Sequence, residues 1–201
     1  MNKIEKLITE LCLKGVEFKK IGDCLVRTKG TNITAAQMKE LHKENAPIKI
    51  FAGGKTIAYF DYGDLPTDDI QTNNSVIVKS RGVIEFEYYD KPFSHKNELW
   101  AYHSKEEQID IKFVYYYLKT KEEFLRNKAT SMGAFPQIAL PDTEQMEIPI
   151  PPLSIQQAIV NILDKFTELE AELEAELEAR KKQYEHYRSK LLTFNNVNGG
   201  G

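Results

Sequence analysis

The sequence predicts an α+β fold: a domain built on a mixed β-sheet, followed by one long α-helix that forms a coiled coil. Three observations predict it. Strand and helix signals follow one another without regular alternation as far as Ile148, which is the pattern of α+β rather than doubly wound α/β domains. Pro149, Pro151 and Pro152 then crowd four residues, and proline enters neither a helix interior nor a central strand. From Ser154 the chain carries no glycine or proline until Gly199, and its apolar residues fall at heptad spacing. The expected organisation is a domain over residues 1–152, a helix over 153–194 and a disordered tail over 195–201.

Each element follows from local pattern. Ile4, Leu7, Ile8 and Leu11 recur at helical spacing, and Lys14-Gly15 closes a helix over residues 4–13. Residues 16–21 form a short, partly alternating strand, and Ile48–Phe51 a strand that stops at Gly53-Gly54. Ser75–Lys79 carries Val76, Ile77 and Val78 in succession, the run of a buried strand. Over residues 83–89, Val83, Glu85, Glu87 and Tyr89 point one way and Ile84, Phe86 and Tyr88 the other. Gly82 supplies the turn, so these two strands make a hairpin. Residues 98–103 read as a further strand, and 34–43 and 109–126 as helices, the second with Phe113, Tyr116, Tyr117, Leu118 and Phe124 toward a core.

The long helix is capped by Ser154, with Gln157 as capping-box partner. Its apolar seam runs Ile159, Ile162, Phe166, Leu169, Leu173 at alternating steps of three and four. Leu177 follows after a second step of four, and Arg180, Tyr184, Tyr187 and Leu191 resume the alternation. That one extra step is a stutter. Its source is a repeat: residues 168–171, 172–175 and 176–179 each read Glu-Leu-Glu-Ala. Each copy adds about 6 Å of helix, and the whole helix is about 60 Å long, more than one small domain covers. The stripe therefore calls for a second long helix from another copy or another subunit, with packing on its own domain as the alternative. The repeat's glutamates repel phosphate and read as solvated faces.

Composition bounds the function. The 201 residues hold 27 Lys+Arg against 30 Asp+Glu, a net charge of −3, which counts against a simple basic nucleic-acid binder. Hydrophobic residues make up 41 %, enough for a packed core. No apolar run reaches membrane-spanning length, and the first residues lack a secretory pattern. Cys12 and Cys24 have no partners at zinc spacing and make no disulfide framework. A cytoplasmic protein without a metal or cofactor is expected. Gly54-Lys55-Thr56 resembles the end of a phosphate-binding loop, but that loop needs a glycine where Lys49 stands. Asp110 and Lys112 have the spacing of a nuclease pair, yet they open a helix, where a first-turn aspartate is ordinary. His42, His95, His103 and His186 are scattered. No catalytic site emerges.

Four stretches carry a resemblance. They are Gly15-Val16-Glu17-Phe18-Lys19-Lys20-Ile21-Gly22-Asp23; Ile48-Lys49-Ile50-Phe51-Ala52-Gly53-Gly54 with Ser75-Val76-Ile77-Val78 and Arg81-Gly82; Phe113 to Lys119 with Ala129-Thr130-Ser131-Met132-Gly133-Ala134-Phe135-Pro136-Gln137-Ile138; and Glu147-Ile148-Pro149-Ile150-Pro151-Pro152-Leu153 with Gln156-Gln157 and, later, Ala179-Arg180-Lys181-Lys182-Gln183-Tyr184. In this order the chain resembles the DNA specificity subunit of type I restriction-modification systems, in a half-length form with one target recognition domain.

The resemblance implies a non-catalytic subunit that reads double-stranded DNA. Each recognition domain of that family reads one half of a bipartite site, and antiparallel helices hold two domains apart. The subunit docks modification (methyltransferase) subunits, which use S-adenosylmethionine to methylate adenine, and a restriction subunit joins the full complex. Tetrapeptide copy number in that family is linked to the gap between half-sites. With one domain and one helix, this chain is expected to pair with itself and read an inverted repeat. The pairing residues would be Ile159, Ile162, Phe166, Leu169, Leu173, Leu177, Tyr184, Tyr187 and Leu191. The basic residues expected on DNA-contacting loops are Lys49, Lys55, Lys79, Arg81, Lys91, His95, Lys96 and Lys128, with Ser131 and Gln137 as polar contacts. Arginine reads guanine and glutamine reads adenine, so Arg81 and Gln137 are the base-edge candidates. Tyr59, Phe60, Tyr62, Tyr88 and Tyr89 read as core or groove-wall residues. The alternatives are a coiled-coil scaffold that binds no DNA and a nuclease domain.

Overall fold

The elements run α1 (Lys3–Leu11), β1 (Glu17–Lys20), α2 (Ile21–Cys24), β2 (Leu25–Arg27), α3 (Ala35–Glu40), β3 (Ile48–Phe51), β4 (Ile57–Phe60), β5 (Ser75–Lys79) and β6 (Glu85–Tyr89). They continue with β7 (Phe93–His95), β8 (Trp100–Ser104), α4 (Ile111–Lys119), α5 (Glu122–Lys128), β9 (Thr130–Met132), β10 (Phe135–Gln137), α6 (Leu140–Glu144), β11 (Glu147–Ile150) and α7 (Leu153–Leu192). This computed structural model describes residues 3–132 and 135–193, the side chains at 3, 4 and 130–132 excepted. Two units divide between Val160 and Asn161. The α+β class and the long terminal helix are as the sequence predicts.

The globular unit is organised around β5. A four-stranded antiparallel sheet has the order β2-β8-β5-β6, and a three-stranded sheet the order β4-β3-β7, with β3 and β7 parallel. Every residue of β5 is buried, because both faces of that strand are covered. Val76 and Val78 join a core with Phe86, Tyr102, Val114, Leu118 and Leu125. Ile77 points the other way and meets Phe51, Phe93 and Ala101. Beyond that layer, Ile48, Ile50 and Phe60 pack with Met38 of α3. The continuous apolar run at 76–78 is thus the signature of a strand buried on both sides, where a half-exposed strand would alternate. The expected β5–β6 hairpin is present, with Ser75 opposite Tyr89 and Lys79 opposite Glu85. Gly82, at φ +81°, makes its turn.

Several expectations are corrected. The helix expected over 109–126 is two helices. Asp110 starts α4 by accepting from the amides of Lys112 and Phe113, a capping role that accounts for the Asp110–Lys112 spacing. Thr120 then ends α4: its amide and its hydroxyl both reach back to the Tyr117 carbonyl, and this local bonding competes with helix continuation. Val114 and Leu125 are buried in place of Phe124, which is exposed. Helix α3 stops at Glu40 rather than 43; Thr34 and Gln37 form its capping box. The strand expected from 83 starts at Glu85, and Val83 is exposed. The strand expected from 98 is Trp100–Ser104. Pro149 does enter a strand, β11, which pairs with β1 in a two-stranded sheet, an edge setting that proline tolerates. Helix α7 begins at Leu153, so Ser154 lies inside its first turn and is not the cap. Phe60 is core, whereas Tyr62 is exposed. The expected tail at 195–201 lies outside the described residues.

The first two turns of α7 belong to the globular unit. Gln156 is fully buried. Its Oε1 accepts from the Asp110 amide (2.9 Å), and its Nε2 donates to the carbonyls of Gln108 (2.9 Å) and Pro151 (2.7 Å). From Asn161 onward the helix stands as its own unit. Ile162, Phe166, Leu169, Leu173, Leu177, Tyr184, Tyr187 and Leu191 are all exposed there.

Candidate nucleic-acid interface

Two glycine turns meet on one side of the globular unit. The β3–β4 connection carries Gly53-Gly54 and the β5–β6 connection carries Gly82, with Gly54 at φ +68°. A Cβ on Gly82 would stand 3.9 Å from the Cα of Gly54, so the two backbones are in van der Waals reach. Positive φ is what selects glycine at both places. Segment 80–82 is also tied to segment 136–138. The Gly82 amide donates to the Pro136 carbonyl (2.9 Å), and the Ile138 amide donates to the Ser80 carbonyl (3.0 Å). Arg81 and Gln137 thereby face each other across an antiparallel bridge.

These contacts frame a cleft of about 330 Å³ lined by Gly54, Thr56, Arg81, Gly82, Lys96, Glu98 and Phe135, among others. Lys55 stands exposed on the rim turn beside Gly54, and Arg81 is exposed as well. Lys96 pairs with Glu98 at 3.1 Å. Phe135 leaves 56 % of its surface open. Of the residues singled out by sequence, Arg81 and Lys96 line this cleft, Lys55 adjoins its Gly54, and Gln137 is bridged to Arg81. Phe135 and the paired glycines are the members that sequence reasoning missed; a phenylalanine between Ala134 and Pro136, outside any apolar period, was the available signal.

The other basic candidates lie elsewhere. Lys49 and Lys79 are not on loops but on β3 and β5, and both are committed to Glu87, at 3.0 and 2.8 Å. Lys79 also holds Glu85 at 2.6 Å. Burial disfavours the Glu87 carboxylate, yet the hydrogen bonds from Lys79 and Lys49 outweigh it and hold its carboxyl below the usual range. Burial likewise opposes the Lys79 ammonium, and its bonds to Glu85 and Glu87 prevail, so it stays above the ordinary lysine value. The Lys49 ammonium further lies 4.4 Å over the Phe51 ring. His95 is 1 % exposed; its Nε2 lies 2.7 Å from the Thr28 hydroxyl and its Nδ1 lies 3.0 Å from the Lys96 carbonyl. Burial pushes its imidazole below the ordinary histidine value. The expected loop placement thus fails for Lys49, Lys79 and His95, because each satisfies a partner inside the fold. Lys128 pairs with Asp142 at 2.7 Å. Lys91 is exposed but stands beyond the opposite end of β6 from Arg81. Ser131 lies on β9 opposite Pro136, and its side chain lies outside the described residues.

Two larger hollows are less suited to a polyanion. One, of about 500 Å³, is lined by Glu107 and Asp110 together with His103 and Gln157, and its carboxylates would repel phosphate. The second, of about 490 Å³, includes Arg27 and Lys29, but these face Glu144 (3.9 Å) and Asp69 (3.1 Å).

A family model described as the type I restriction modification DNA specificity domain matches residues 14–179. Among curated proteins, the type I restriction enzyme EcoprrI specificity subunit of Escherichia coli is 45 % identical over 97 residues, 43 % of this chain and 24 % of that protein. The EcoR124I/EcoR124II specificity subunit of Escherichia coli is 46 % identical over 92 residues, 42 % of this chain and 21 % of that protein. Among solved structures, the S subunit of a type I restriction-modification system from M. genitalium superposes with a TM-score of 0.62 at 23 % identity, over 91 % of this chain and 47 % of that one. The matched segments therefore cover less than a quarter of the length of these curated relatives, and the chain covers about half of the solved one.

Proposed function

The chain belongs to the type I restriction modification DNA specificity domain family, and from that premise we propose that its globular unit reads DNA sequence through the cleft between the two glycine turns. The carrying observation is that Arg81 and Phe135 line one cleft, with Gln137 bridged to Arg81 and Lys55 exposed on the turn between the lining residues Gly54 and Thr56. Arg81 offers a guanidinium fork for guanine O6 and N7, Gln137 an amide for adenine, and Phe135 an apolar edge for a thymine methyl. Lys55 serves the phosphates, while Lys96 stays paired with Glu98 on the cleft wall. The backbone bridge holds Arg81 and Gln137 in fixed relation, so that one register on the duplex serves both.

The remaining assignments follow the family. The long helix pairs antiparallel with a second copy, and two globular units read inverted half-sites separated by the helix. Modification subunits dock on the pair and methylate adenine with S-adenosylmethionine; a restriction subunit completes the larger complex. This chain supplies recognition and no catalytic group. Because Lys49, Lys79 and Lys128 are each paired with a carboxylate and the net charge is −3, DNA affinity of the chain alone is weak, and the modification subunits supply much of the phosphate contact.

Mapping methylated adenines after co-expression with the modification subunit tests this reading. Arg81→Ala and Gln137→Ala each relax one base of the half-site, at a cost of about 1–3 kcal/mol of discrimination per lost bidentate contact. Lys91→Ala leaves the motif unchanged. An unaltered motif in both cleft variants would place recognition elsewhere. Absence of salt-dependent DNA binding even with the modification subunit present would favour the scaffold reading.

A further inference from the structure

The exposed apolar stripe of the helix unit has a symmetry that an ordinary amphipathic helix lacks. Counted outward from the peptide bond between Glu176 and Leu177, Leu173 and Arg180 stand at equal distances. The same holds for Leu169 and Tyr184, for Phe166 and Tyr187, and for Ile162 and Leu191. Leu177 is left beside the centre. In heptad terms each of these pairs joins an a position to a d position. Antiparallel helices form their layers in that way, since reversing a chain exchanges its steps of three and four; parallel helices set a against a and d against d.

We propose that the two-fold axis of this pairing passes beside Leu177, so that each of these pairs forms one layer between the two copies. The proposal rests on the self-pairing stated above and adds its register and centre. A two-fold interface uses one surface twice and must be complementary to itself. A different helix would place no such demand on the spacing within this one. The stutter then has a purpose. Its extra step, from Leu173 to Leu177, falls at the axis, where Leu177 meets its own copy, and the seam on either side stays in phase.

Charge agrees with this register. It sets Glu170 beside Lys181 of the second copy, and symmetry repeats the pair. Arg180, the charged member of the seam, faces Leu173 of the second copy, with Glu172 and Glu174 of that copy nearby in sequence. In a parallel pair the two Arg180 side chains would face each other within the seam, which Coulomb repulsion opposes. One like-charge match, Lys165 with Lys190, falls near the ends of the overlap, where solvent and salt screen it.

Single cysteines in a Cys12→Ser background test the register on the full chain; Cys24 is buried and stays. With a short bis-maleimide, Leu177→Cys gives a covalent dimer. Leu169→Cys alone gives none, because the two thiols lie about 22 Å apart along the axis in this register, but mixed with Tyr184→Cys it gives a covalent heterodimer. Light scattering on the same samples separates the failures. Self-crosslinking of Leu169→Cys means parallel pairing and overturns the proposal. A dimer that Leu177→Cys does not lock overturns the register and leaves self-pairing standing. A monomer at every concentration removes both.

Discussion

Leu118 and Leu173 are the same residue on two helices of one chain, and they have opposite fates. Leu118 on α4 is fully buried against β5 and β6, whereas Leu173 on α7 keeps 65 % of its surface open. The globular unit covers its own apolar surface in three clusters. The helix unit keeps its stripe exposed over about eight turns. One unit is therefore finished by intramolecular packing, and the other leaves its stripe open, to be covered on the proposed reading by a second copy. On the proposed reading, the first sets which bases are read and the second sets how far apart they are.

The largest effect that can break this contrast is a leucine truncation in each unit. Leu118→Ala removes a packed side chain and should lower the stability of the globular unit by about 2–5 kcal/mol, read as a shift of the urea midpoint. Leu173→Ala should leave that midpoint in place and instead weaken self-association in sedimentation experiments. A midpoint shift of similar size in both variants would mean that the helix stripe packs on its own domain.

A smaller effect separates the units by pH. Burial holds His95 below the free histidine value of 6.5. Between its folded value and 6.5, the unfolded chain binds a proton that the folded chain refuses, so stability falls as pH falls through that window. The globular transition should weaken as pH falls below about 6.5, and His95→Gln should flatten this part of the slope. An equal slope in the variant would show that His95 is not held neutral by the fold.

The same contrast explains what could be read from sequence. The long helix was legible because its steps of three and four run over residues 154–192 with a single stutter and no proline or glycine intervenes. The β5–β6 hairpin was legible from its apolar run, its alternation and Gly82. Strands β2, β4 and β7 were not, because three or four residues carry too little period to distinguish strand from loop. The break at Thr120 was hidden because no glycine or proline marks it; a hydroxyl bonded to the backbone does the work. In the site, Arg81 and Gln137 could be chosen for their chemistry, but their pairing depends on a bridge between distant segments. Lys49 and Lys79 were chosen for charge, and only the packing of β3, β5 and β6 reveals that Glu87 claims both.

The division of labour is tested most directly by removing one tetrapeptide, residues 172–175, and mapping methylated sites in cells that also supply the modification subunit. The deletion shortens the helix by about 6 Å, on the scale of one to two base-pair steps. The account predicts the same half-site bases with a shorter gap between them. An unchanged gap, or a change in the bases themselves, would contradict it.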